Sequence, residues 1–128
     1  MEIKVTQGIK ISVQHQYRED YSRPESKHYF FTYLITIENI SSYSVRLLRR
    51  HWVIYDSAGI HSEVEGKGVV GEQPEIQPGE MYQYSSGCNL TTEIGSMQGT
   101  YLMQRMADTQ TFEVTIPNFQ LIVPYRFN

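Results

Sequence analysis

Apolar and polar residues alternate along most of the chain. In IKISVQHQY (9–17), Ile9, Ile11, Val13 and Tyr17 fall on one side, and Lys10, Ser12, Gln14 and Gln16 on the other. A period of two lets a strand bury one face and solvate the other. YFFTYLITIEN (29–39) repeats the pattern, with Tyr29, Phe31, Tyr33, Ile35 and Ile37 opposite Thr32, Thr36 and Glu38. TFEVTIPNF repeats it again through Phe112, Val114 and Ile116. Further strand-like runs span 45–55, 61–65, 80–86 and 99–106, and Tyr, Phe, Val, Ile and Thr are common in them. No stretch sustains a helical stripe.

Turn signals separate the runs at Ser22–Ser26, Asn39–Ser42, Asp56–Gly59, Pro74–Gly79, Ser85–Cys88 and Ala107–Gln110. That spacing predicts an all-β fold, an immunoglobulin-like antiparallel β-sandwich of seven or more strands. Pro117 interrupts the last run, which predicts an edge strand or added ribbon over Asn118–Val123. Trp52, in RRHWVIYD, is expected in the core on a central strand with Ile54. Arg50 shares their phase, which places it near the sandwich rim or beside a bulge.

At 128 residues the chain predicts one domain, 1–128, able to bury roughly two thirds of its unfolded surface. A net charge of −3 argues against nucleic acid as a partner, because such binders carry a basic footprint. Cys88 is the only cysteine, so neither an intrachain disulfide nor a Cys-rich zinc site is expected. MEIKVTQGIK lacks the apolar centre of a signal peptide, and no apolar run is long enough to span a membrane. The expectation is a soluble, cytoplasmic protein with no membrane partner.

GKGVVG (66–71) has the spacing of a dinucleotide-binding glycine fingerprint. Its surroundings do not fit that use. Pro74 and Pro78 follow where the phosphate-holding helix should start. Glu65, Glu72, Glu75 and Glu80 surround Lys67, the loop's one cation. What remains is an amide nest for an anion, with Gly66, Lys67, Gly68 and Gly71 as candidates. Against it stands the plainer expectation that these glycines permit positive φ or close strand crossing, with the strongest requirement at Gly68.

His15, His28, His51 and His61 form no short-spaced ligand pair. If Asp56–Gly59 closes a hairpin, His51 and His61 are expected on opposite faces, so no metal site is predicted. Ser85, Ser86 and Cys88 in YSSGCNL have no sequence signature tying them to a base. No catalytic residue and no cofactor are predicted. Ten tyrosines suit strands and also interfaces. Tyr82, Tyr84 and Ser86 share one strand face, and Tyr17 and Tyr21 flank a charged loop that reads as solvated before it reads as a recognition element.

The stretches TQGIKISV, YFFTYLITIENIS, VRLLRRHWVIYDSAG, VEGKGVVGEQPEIQPGE, YSSGCNL, GSMQGTYLM and FEVTIPNFQLIVP together resemble the ApaG family from about Val5 to Pro124. The resemblance implies a fibronectin type III or immunoglobulin-like β-sandwich. It also implies a link to cobalt tolerance and magnesium efflux, and a gene often beside one for diadenosine tetraphosphate hydrolase. Related eukaryotic domains occur in an F-box protein and a DNA-polymerase-interacting protein, which implies protein binding. No catalytic set comes with it. The expected function is a non-enzymatic module for an unidentified protein partner, connected with divalent-cation (Co2+/Mg2+) homeostasis. The alternative is a phosphate or nucleotide binder using 66–71. Unpaired sandwich edges leave a homodimer open.

Overall fold

The computed structural model describes residues 1–127. Nine strands make two antiparallel sheets. They are β1 (Glu2–Thr6), β2 (Ile9–Tyr17), β3 (Tyr29–Asn39), β4 (Val45–Asp56), β5 (His61–Lys67), β6 (Glu75–Ile76), β7 (Met81–Leu90), β8 (Ile94–Arg105) and β9 (Thr111–Ile122). One sheet runs β1-β2-β3-β7. The other runs β5-β4-β8-β9, and β6 pairs with the start of β4. This is the immunoglobulin or fibronectin type III-like sandwich the alternation predicts. No helix among the described residues is long and apolar enough to cross a membrane.

The core follows the predicted phases. Ile9, Ile11, Val13, Phe31, Tyr33, Ile35 and Ile37 of the first sheet face Trp52, Met97, Tyr101, Met103, Val114 and Ile116 of the second. Two bulges interrupt the alternation. In β4 the register shifts between Leu47 and Arg49. Val45 and Leu47 point inward before the shift, and Trp52 after it. Arg50 thus sits just past a bulge, as its phase predicts. In β9, Pro117 and Asn118 together oppose Gln98, because Met97 pairs with Phe119 and Gly99 with Ile116. The bulge absorbs the missing proline N–H, and β9 continues as an edge strand through Ile122.

Three expectations need correction. Ser85–Cys88 is not a turn: it lies inside β7, where Ser86 pairs with Tyr33 and Gly87 with Thr32. The glycine there makes room for an aromatic ring, since a Cβ on Gly87 would lie 2.4 Å from Phe30 Cζ. The strands also run longer than predicted, with β8 beginning at Ile94 rather than 99 and the alternating N-terminus forming β1. Finally, His51 and His61 share a face. Tyr55 pairs with His61 and His51 with Glu65, so the loop spans Asp56–Ile60, one residue more than predicted, and the parity reverses.

The sandwich is closed on one side and open on the other. β1 packs against β9, and Thr6 Oγ1 accepts the Thr115 N–H at 3.3 Å. Opposite, β5 pairs only with β4 and β7 only with β3 among the described residues. These two unpaired edges flank a seam into the core.

Candidate functional site

The seam holds a cavity of about 240 Å³. Tyr33, Trp52, Tyr84, Ser86 and Met97 wall it, and Val64 of β5, Val70 and the half-buried Arg50 stand among its lining residues. The bulge in β4 puts Arg50 in the inward phase, two residues from Trp52. Its guanidinium lies over Gly66, where a Cβ would come within 2.8 Å of Nη1 and Nη2. Nη1 donates to Gly68 O at 2.9 Å and to Lys67 O at 3.3 Å. Arg50 makes no ion pair among the described residues.

The glycine-rich segment is therefore the scaffold of this arginine. Gly66 and Lys67 end β5, and Val69–Glu72 forms a tight hairpin with mutual hydrogen bonds of 2.8 and 2.9 Å. Both central positions are left-handed, Val70 at φ 47° and Gly71 at φ 81°, as in the two-residue type I′ turn. Gly68, at φ 64°, has a second constraint: a Cβ there would meet Glu72 O at 2.0 Å. Gly66 needs no positive φ, and its constraint is the guanidinium above it. The amides of Gly68, Val69 and Glu72 are already committed, to Leu48 O, Glu72 O and Val69 O.

Behind the cavity, the hydroxyls of Tyr84 and Tyr101 share a buried hydrogen bond. Burial pushes the Tyr84 phenol up, with that bond pulling the other way, and burial likewise pushes the Tyr101 phenol well up. Burial also raises Tyr33, with the neighbouring Ser86 hydroxyl pulling the other way. The positive field of Arg50 reaches all three phenols. An unfolded tyrosine titrates near pH 10. Above that pH the native state binds more protons than the unfolded chain, so stability falls as pH rises. The contribution is whole below about pH 10 and should then fade by about 1.4 kcal/mol per pH unit for each phenol held neutral. Urea unfolding at pH 9, 10 and 11 should show this slope, and Tyr84→Phe should flatten it. Equal stability at pH 9 and 11 would contradict the burial of these hydroxyls.

The other candidates are dispersed. Cys88 is buried, and its thiol is pushed up to about 11 by burial, so it is a packing residue and not a thiolate. Ser86 faces the cavity, whereas Ser85, its neighbour along the strand, lines the outer side of the first sheet. His15 stacks on Phe119 at 5.5 Å. His51 Nε2 lies 3.8 Å from Glu63 and 3.7 Å from Glu65, beyond hydrogen-bond reach. His61 packs on Tyr55 instead. Among the described residues no three His, Cys, Asp or Glu side chains cluster as metal ligands. Sequence reasoning missed the part Arg50 plays. Its signal was a charged residue in the inward phase beside the only tryptophan.

The comparisons with known proteins are consistent with this fold. A family model described as the ApaG domain (DUF525) matches residues 19–105. Protein ApaG of Brucella anthropi is 51% identical over 120 residues, covering 94% of this chain and 92% of that one. Protein ApaG of Vibrio cholerae is 50% identical, covering 94% of each. The crystal structure of the ApaA protein from Bordetella pertussis superposes with a TM-score of 0.87 at 40% identity, covering 91% of this chain and 94% of that one. The matches span the sheets, the bulged β4 and the glycine hairpin, and on them the chain belongs to the ApaG family.

Proposed function

We propose that this non-enzymatic domain is a protein-interaction module that docks partners at the seam between β5 and β7. The observation that carries the reading is Val70. It is a β-branched residue in the left-handed region, with φ 47°, and it is 64% exposed at the tip of a tight hairpin. Valine is strained there, whereas asparagine or glycine would fit freely. Nothing in the core compensates for an exposed side chain, so the strain points to use of that side chain at a surface. Beside it, β5 offers an unpaired edge with Val64 exposed, and Ile60 just precedes it, also exposed. An extended partner segment can add to such an edge through backbone hydrogen bonds. The physiological setting, divalent-cation homeostasis, comes from the family resemblance. The alternative of an anion held by the Gly66, Lys67, Gly68 and Gly71 amides has less support, because much of the hairpin's amide capacity is used internally.

Val70→Asn separates stability from function. It should raise stability by about 1 kcal/mol by relieving the left-handed valine. It should also reduce capture of partner protein from extracts of the native host on immobilised protein. Capture equal to wild type, or a variant less stable than wild type, would overturn the reading.

A further inference from the structure

The cavity itself has a chemistry that the docking of a partner strand does not require. Arg50 places a permanent positive charge in a pocket walled by Tyr33, Trp52, Tyr84 and Met97. The half-buried guanidinium makes no ion pair among the described residues, and its natural complement is a carboxylate received in two parallel hydrogen bonds. The fork is held in place for this. Among the described residues its internal hydrogen bonds both come from Nη1, to the carbonyls of Gly68 and Lys67, which leaves Nε and Nη2 without protein acceptors. Gly66 leaves space for the guanidinium to lie flat, and Gly68 aims the carbonyl that holds it. Tyr33 of β3 and Ser86 of β7, cross-strand partners, add hydroxyl groups on the first-sheet side. The remaining walls are aromatic and aliphatic.

Size narrows the ligand. A cavity of about 150 Å³ is enough to admit benzene. The seam offers about 240 Å³, room for one ring and a carboxylate. We propose that the Arg50 cavity is a binding site for a carboxylate carried on a compact, flat apolar body, of the size of an aromatic acid. The carboxylate would meet Nε and Nη2 of Arg50, and the ring would lie against the apolar lining that Ile54, Val64 and Val70 form beside Trp52. The same chemistry could arrive as a free small acid or as the C-terminal residue of a chain, and the two are separable by experiment.

The test is titration of the full-length protein with benzoate, followed by 1H–15N NMR. The Trp52 indole N–H is a built-in reporter, because the chain has one tryptophan. Benzoate should shift that signal and the Gly68 and Gly87 amides saturably at millimolar concentration. Benzamide, the same size without the charge, should bind at least about tenfold more weakly, as loss of a charge-assisted pair requires. Arg50→Gln should lose binding by a similar factor, and Arg50→Lys should recover only part of it. Acetyl-phenylalanine against its amide then assigns the source: tighter binding than benzoate indicates a chain end, weaker binding a free acid. No saturable shift with benzoate would overturn the proposal. So would equal binding of benzamide, a comparison made on wild type that does not depend on any variant folding. Because Val70→Asn reads partner capture and benzoate reads the cavity, failure of one leaves the other standing.

Discussion

Trp52→Ala should lower stability by about 3–5 kcal/mol, which for a domain of this length moves the melting temperature down by roughly 10–20 °C. Trp52 is 3% exposed and stands where the two sheets meet. Its ring lies 5.4 Å from that of Tyr33 in the first sheet and 6.0 Å, edge-on, from that of Phe119 on β9. Truncation therefore opens a hole at a junction that rigid strands hold apart, and the space can collapse only in part. Each lost aromatic pair adds about 0.5–1.5 kcal/mol beyond the buried area. The backbone around it has no slack either. Gly99, paired with Trp52 across to β8, would bring a Cβ within 2.2 Å of His51 O. Trp52→Phe should recover a good part of the loss. Urea denaturation followed by circular dichroism checks the series, and a loss below about 1.5 kcal/mol would show that the indole is not a core element.

Trp52 was legible in the sequence because burial on one sheet face leaves a period of two that needs no knowledge of partners. The same holds for Ile9, Ile11 and Val13 on β2 and for Phe31 through Ile37 on β3, all in the predicted phase. What sequence reasoning missed depends on pairing between distant segments. Gly87 looks like part of a turn in YSSGCNL, yet its smallness serves the Phe30 ring on the neighbouring strand. The faces of His51 and His61 depend on one residue of loop length, and the Asp56 N–H to Ile60 O bond closes the longer loop. Single-residue slips of this kind reverse every side chain beyond them.

The site was legible only in pieces. Arg50 in the inward phase, a bulge beside it, and glycines at 66, 68 and 71 were each visible. That the glycines serve the arginine was not, because a hydrogen bond from β4 into the hairpin is a tertiary fact. Their spacing resembles a phosphate loop because both uses need backbone that can approach closely and turn left-handed.

Gly68→Ala is the sharpest way to separate those uses. The new Cβ would sit 2.0 Å from Glu72 O, a backbone atom that the hairpin holds through its bonds to Val69. The residue would also keep φ 64°, which L side chains rarely adopt. Clash and strain act together, so the hairpin must shift, and the Gly68 carbonyl must shift with it. We expect a loss of about 2–3 kcal/mol. Gly71→Ala has φ 81° but open space around it and should lose only about 1 kcal/mol. Lys67→Ala, exposed at the strand end, should change stability by less than about 0.5 kcal/mol. The Gly68 variant should also lose benzoate binding, because the carbonyl that orients Nη1 of Arg50 has moved. ATP and NAD at about millimolar concentration should leave the melting curve of wild type unmoved, since saturating binding would raise it by mass action. A nucleotide that stabilises wild type but not Lys67→Ala would make the hairpin a phosphate site and remove the scaffold role assigned to its glycines.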